Sequence, residues 1–256
     1  MKTILTLLVL MMGSIASAEL VKKSVEYKEG STVLEGYLVY DDVQTGKRPG
    51  ILVTHNWLGL TDETKQKSDE FAKLGYVVFA ADVYGKGIRP SGEEAGKTAG
   101  IYKGDRGLFR KRMNAALSEL SKQPNVDKKS LVAAGYCFGG TGTIELARSG
   151  APLKGAISIH GGLDSPNPEL GKKIKARVLA LHGGDDPYVS EADLKAFEAE
   201  MRTAKVDWQL IKYGNTVHSF TDKSAGNDNT KGAAYNATSD KRSWEAIKQF
   251  LAETVK

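Results

Sequence analysis

The sequence predicts an α/β fold: a mostly parallel sheet with helices on both faces and an antiparallel hairpin at its N-terminal edge. Three observations lead there. Short, continuous apolar runs such as "GILVTHNW" (50–57) suit strands covered on both faces. Stretches of helical period separate these runs. Only "SVEYKEGSTVLEGYLVYDD" (24–42) alternates apolar with polar residues, around a Glu29-Gly30 turn, as a half-buried antiparallel hairpin does.

Ahead of the hairpin, "MKTILTLLVLMMGSIASAEL" combines Lys2, an apolar core from Ile4 to Met12 and the small-x-small run Ala16-Ser17-Ala18. That is the pattern of a cleaved secretory signal peptide over residues 1–18, giving a periplasmic or secreted protein that begins at Glu19. Past it, a helix is expected with Thr61 or Asp62 as its cap and Phe71, Ala72 and Leu74 facing inward. "GYVVFAADVYG" (75–85) reads as a buried strand and "GLFRKRMNAALSELSKQ" (107–123) as an amphipathic helix stopped by Pro124. The rhythm then repeats. "SLVAAGY", "LKGAISIHGG", "KARVLALHGG" and "DWQLIKYGN" read as strands, and "GGTGTIELARS", "EADLKAFEAEMRTA" and "DKRSWEAIKQFLAETV" as helices. No internal repeat or linker divides the chain, so residues 19–256 form one domain.

Composition narrows the function. Apolar residues make up 41% of the 256, enough for a large core, and later segments are too polar to cross a membrane. The net charge of +5 is scattered in short clusters such as "DKKS" and "GKKIKAR", without interleaved aromatics. Such a distribution argues against nucleic acid as a partner. The single cysteine excludes an internal disulfide. An unpaired thiol in an oxidising compartment is open to oxidation, so its retention calls for a chemical reason.

That cysteine lies in "GYCFGG" (135–140), between an apolar strand and a glycine-rich helix start. It fits the G-x-S-x-G nucleophile elbow with sulfur for oxygen. A tight strand-to-helix turn would hold Cys137 at a helix N-terminus, where unpaired N–H groups favour a thiolate, and free the N–H of Phe138 for an oxyanion. Active sites of such sheets lie beyond the carboxyl ends of the strands. All four histidines fall there: His55, His160, His182 and His218. The order nucleophile, acid, histidine of α/β-hydrolases is met by Cys137, an aspartate of "HGGDDPYV" and His218 of "GNTVHSF". Spacing leaves Asp185 and Asp186 both open as the acid.

With these motifs in order over nearly the whole chain beyond residue 18, the sequence resembles the dienelactone hydrolase family. "GYCFGG" is similar to its cysteine elbow, "HGGDDPYV" to its acid loop, "HSF" to its histidine loop and "ADVYG" (81–85) to its strand-end Asp-x-Tyr. The resemblance implies an α/β-hydrolase fold, a triad of Cys137, Asp186 and His218, and a second oxyanion donor in the backbone N–H of Trp57. It also implies a small ester or lactone substrate and no cofactor. Two departures bear on the substrate. Asn56 stands where the family has an activating glutamate, and Lys86 and Asp222 stand where it has two substrate-gripping arginines. If these three residues face the substrate, neutral esters or lactones should be favoured over carboxylates.

Two other readings remain open at this level. A metal-dependent hydrolase could use the strand-end histidines with Asp185 or Asp186, although no short ligand spacing supports it. A hydrolase fold kept as a non-catalytic, redox-sensing module could use Cys137 as its sensor.

Overall fold

The computed structural model describes residues 19–255. The expected signal peptide lies outside the described residues.

The sheet has eight strands. β1 (Leu20–Glu29) and β2 (Thr32–Asp41) form the N-terminal hairpin, in register from Leu20 opposite Asp41 to Glu29 opposite Thr32. Gly30 carries its turn with φ +56°. β2 runs antiparallel to β4 (Val77–Ala81), and every later pairing is parallel. The remaining strands are β3 (Arg48–Thr54), β5 (Val126–Tyr136), β6 (Gly155–Ile159), β7 (Arg177–Gly183) and β8 (Trp208–Tyr213), in the spatial order β1-β2-β4-β3-β5-β6-β7-β8. The predicted α/β-hydrolase architecture, including its antiparallel edge, is the one observed.

Buried strands must be apolar on both sides, and β3 shows why the sequence has no alternation there. Ile51 and Val53 pack into one core and Leu52 into the other, all fully buried. The helices are α1 (Asp62–Lys73), α2 (Gly92–Gly104), α3 (Arg106–Lys122), α4 (Phe138–Arg148), α5 (Glu191–Ala204) and α6 (Ala237–Thr254). Phe71 of α1 and Ile247 and Phe250 of α6 fill one core. Phe109 and Met113 of α3, Ile144 of α4 and Phe197 of α5 fill the opposite one.

Three expectations change in detail. Thr61 is the residue that precedes α1, while Leu74 lies beyond its last turn and is 44% exposed rather than inward. The strand read over 75–85 stops at Ala81. There Asp82 turns the chain by accepting bonds from the N–H groups of Tyr84 and Gly85, both at 3.0 Å. Helix α2 had no counterpart in the sequence reading.

Candidate active site

β5 ends at Tyr136 and α4 begins at Phe138, so one residue makes the whole turn. That residue, Cys137, sits at φ +54° and ψ −116°, a backbone state that costs a non-glycine residue on the order of 1–3 kcal/mol. The flanking glycines make the turn sterically possible. A Cβ on Gly135 would collide with the Gly139 carbonyl, and one on Gly139 with the Thr54 carbonyl of β3. The Cys137 N–H donates to Ile159 O (2.9 Å) and His160 Nδ1 (3.1 Å), fastening the elbow to the end of β6.

Two loops bring partners to the thiol. Beyond β7, Asp186 turns back through its own N–H to Gly183 O (3.1 Å), and its Oδ1 accepts from the Tyr188 N–H at 2.9 Å. Beyond β8, His218 is tied by its N–H to Gly232 O and by its carbonyl to the Ala234 N–H. His218 Nδ1 then lies 2.7 Å from Asp186 Oδ2, and its Nε2 3.1 Å from Cys137 Sγ. Asp185, the other aspartate left open by spacing, is exposed, and no side-chain bond joins it to His218 among the described residues.

The electrostatics of this trio favour charge transfer within it. Burial alone would push the Cys137 thiol up. The hydrogen bond and positive charge of His218, the charge of Lys103 and the Phe138 N–H together hold it below its ordinary value. Burial pulls His218 down, but its bonds to Asp186 and Cys137 push it up to about 10. The two shifts act in one direction, both favouring transfer of a proton from sulfur to nitrogen.

A cavity of about 340 Å³ opens over Cys137 and His218. Trp57 and Tyr188 supply aromatic walls, while Gly96, Ala99, Gly100 and Lys103 of α2 form the facing side. Lys103 and the α2 glycines were missed in the sequence. The one signal for α2 was Ser91 with Glu94 three residues on, a helix-start pattern masked by Gly92, Gly96, Gly100 and Gly104. Trp57 and Phe138, expected oxyanion donors, both border this cavity. Phe138 is anchored by stacking on Phe109, with ring centroids 4.5 Å apart.

Asn56, Lys86 and Asp222, expected to face the substrate, do not line this cavity, which removes the geometric support for that expectation and for the charge argument built on it. Asn56 donates through Nδ2 to Glu63 (2.9 Å) and accepts from the Leu58 N–H (2.9 Å), so its side chain braces its own loop. Lys86 is drawn to the outer edge of the sheet by Glu26 of β1 and Glu35 of β2. Asp222 caps a short turn by accepting from the Ser224 N–H, and it lines a separate groove beside Glu63 and Lys67. Arg89 is likewise spent on backbone carbonyls, those of Leu60 and Ile88.

The remaining histidines do not gather into a metal-binding set. Among the described residues no group of three His, Cys, Asp or Glu side chains is placed to hold a metal ion. His55, His160 and His182 are each buried, and burial holds all three below the ordinary value.

The comparisons agree with this geometry. The dienelactone hydrolase family model matches residues 34–255. A crystal structure titled as a dienelactone hydrolase-like promiscuous phosphotriesterase from metagenomic libraries is 39% identical. It superposes with a TM-score of 0.90 over 94% of this chain and 100% of its own. The dienelactone hydrolase of Anabaena variabilis, at 15% identity, shares the fold with a TM-score of 0.69 over 93% of this chain and 99% of its own. An uncharacterised Caenorhabditis elegans protein is 36% identical over 57% of this chain and 94% of its own. The chain is a hydrolase with the α/β-hydrolase fold and belongs to the dienelactone hydrolase family.

Proposed function

We propose that this protein is an exported hydrolase of small esters or lactones that works through a Cys137–His218–Asp186 triad and an acyl-enzyme. The observation that carries the reading is the continuous set of contacts at 3.1 and 2.7 Å from Sγ through the imidazole to the carboxylate. The Cys137 thiolate attacks the carbonyl carbon, and the electron pair moves to the carbonyl oxygen. The N–H groups of Phe138 and Trp57 stabilise that oxyanion. As the tetrahedral adduct collapses, the C–O bond to the alcohol breaks and His218 gives the leaving oxygen its proton. His218 then takes a proton from water, hydroxide displaces Cys137, and the acid departs. Asp186 holds Nδ1–H and so fixes the tautomer and ring orientation throughout. No step calls for a cofactor.

Export rests on the signal-peptide pattern of residues 1–18; the matching test is an N-terminus at Glu19 in the protein recovered outside the cytoplasm. The catalytic test is mass spectrometry of the protein mixed with an activated ester. A transient acyl adduct on Cys137 is expected, absent in Cys137→Ala, with turnover lost in both Cys137→Ala and His218→Ala. Undiminished turnover by Cys137→Ala would sink the reading.

A second reading follows from the 39% identical neighbour, whose title names promiscuous phosphotriester cleavage. The same thiolate could attack a neutral phosphotriester at phosphorus. Turnover of a nitrophenyl phosphotriester by the wild type, lost in Cys137→Ala, is the result that would establish it.

A further inference from the structure

Both oxyanion donors named above must be aimed before substrate arrives, and one buried side chain outside the triad touches the structure behind each of them. His55 follows β3 directly and is wholly buried. Its Nδ1 lies 2.6 Å from the Asn56 carbonyl oxygen, and its Nε2 3.2 Å from the Val83 nitrogen. A carbonyl only accepts and an N–H only donates, so the tautomer follows: Nδ1–H donates to Asn56 O, and Nε2 accepts from Val83. The imidazole therefore joins the loop after β3 to the loop after β4.

The consequence lies across the next peptide bond. No cis peptide occurs among the described residues, so the Asn56–Trp57 unit is trans and its N–H points opposite to its C=O. Holding the Asn56 carbonyl inward on His55 turns the Trp57 N–H away from the imidazole, and Trp57 is one of the residues that line the cavity. Tyr84 Oη donates to the following carbonyl, Trp57 O, at 3.0 Å, which fixes the other end of the residue. On its opposite side the His55 ring stacks on Phe138, with centroids 5.6 Å apart and planes 13° apart. The Thr54–His55 backbone also lies so close to Gly139 that a Cβ there would strike both carbonyls.

We propose that His55 is the positioning residue of the oxyanion hole, setting the Trp57 N–H through the Asn56 carbonyl and seating Phe138 through its ring. It touches neither the substrate nor the triad. The assignment rests on the hydrolase reading above and adds to it the part that makes one of its donors available.

The variants His55→Gln and His55→Asn separate this role from general packing. Asparagine can present an N–H near the Nδ1 position, whereas glutamine extends toward Nε2 and leaves the Asn56 carbonyl only its long 3.4 Å bond from the Gly59 N–H. Each is assayed on a matched oxoester and thionoester, and each is titrated with iodoacetamide. The thionoester sulfur is a poor hydrogen-bond acceptor and gains little from oxyanion donors. Alkylation of Cys137 forms no oxyanion at all.

His55→Gln is expected to lower kcat on the oxoester by roughly 10- to 100-fold, within the cost of losing an oxyanion donor, with KM little changed. Its thionoester rate and alkylation rate should stay within about twofold of wild type, as expected when only transition-state binding is lost, and His55→Asn should recover much of the loss. Should His55→Gln not fold, His55→Phe keeps the stack, lacks the donor, and is held to the same pattern. Equal losses on both esters, a parallel fall in alkylation, or an oxoester rate unchanged in the donor-lacking variant would overturn the proposal while leaving the triad standing. Wild-type inactivity on every ester would instead remove the hydrolase reading itself.

Discussion

Cys137 is held in a backbone conformation that only its surroundings make tolerable, and its sulfur sits where a proton has a better home nearby. His218 provides that home because Asp186 stabilises the charged ring from behind. The expected outcome is an iodoacetamide reaction whose rate stays high well below the pH at which a free thiol loses its thiolate. Asp186→Asn should move that profile upward by weakening the imidazolium; a profile like that of free cysteine in the wild type would count against a resting ion pair. At the same scale, Lys103 lines the cavity over Cys137, whereas Lys86 and Asp222 do not. The neutral-substrate preference expected from those two positions therefore loses its basis. A carboxylate-bearing ester should be favoured over its amide counterpart by roughly two- to fivefold, the size of an exposed charge contact. Lys103→Met should erase the difference, and a wild type indifferent to this charge would show that Lys103 points past the substrate.

At the scale of elements, the strands, most helices and the order of the triad were readable because each depends on local pattern. A buried parallel strand needs a continuous apolar run, and the elbow needs glycine at Gly135 and Gly139. Helix α2 was not readable, since its glycines contradict helix propensity. Lys86 and Asp222 misled for a related reason: position along a loop does not fix where a side chain points, and Glu26 and the Ser224 N–H decided it. The α2 glycines themselves carry a prediction. Nothing lies within 4 Å of a Cβ placed on Gly96 or Gly100, so neighbouring packing does not require them. Glycine in a helix interior costs about 1 kcal/mol relative to alanine, yet both border the catalytic cavity. Gly100→Ala should raise Tm by roughly 2–4 °C while raising KM for a bulky aryl ester and leaving a small acetyl ester unaffected. Equal effects on both esters would mean that the α2 face does not contact the acyl or leaving group.

Over the whole molecule, the gathering of histidines at one end of the sheet makes folding sensitive to acid. His55 is held to about 4 by burial, against an ordinary 6.5, and burial also lowers His160 and His182. At His55, between pH 6.5 and 4, the unfolded chain takes up a proton that the folded chain refuses, and His160 and His182 act in the same direction below 6.5, so stability falls as pH falls. For fully buried His55 alone the gap amounts to on the order of 3 kcal/mol. Glu63 works against these groups: burial and Asp222 raise its carboxyl to about 7, so protonating it favours the fold as pH drops. One opposing carboxyl stands against three buried histidines. Urea unfolding should therefore give a clearly lower free energy at pH 4.5 than at pH 7, and Glu63→Gln, which removes the opposing group, should steepen the fall. A stability that is flat or rises over this interval would mean that these histidines take up protons inside the fold, which the bond from Val83 N–H to His55 Nε2 forbids while it is intact.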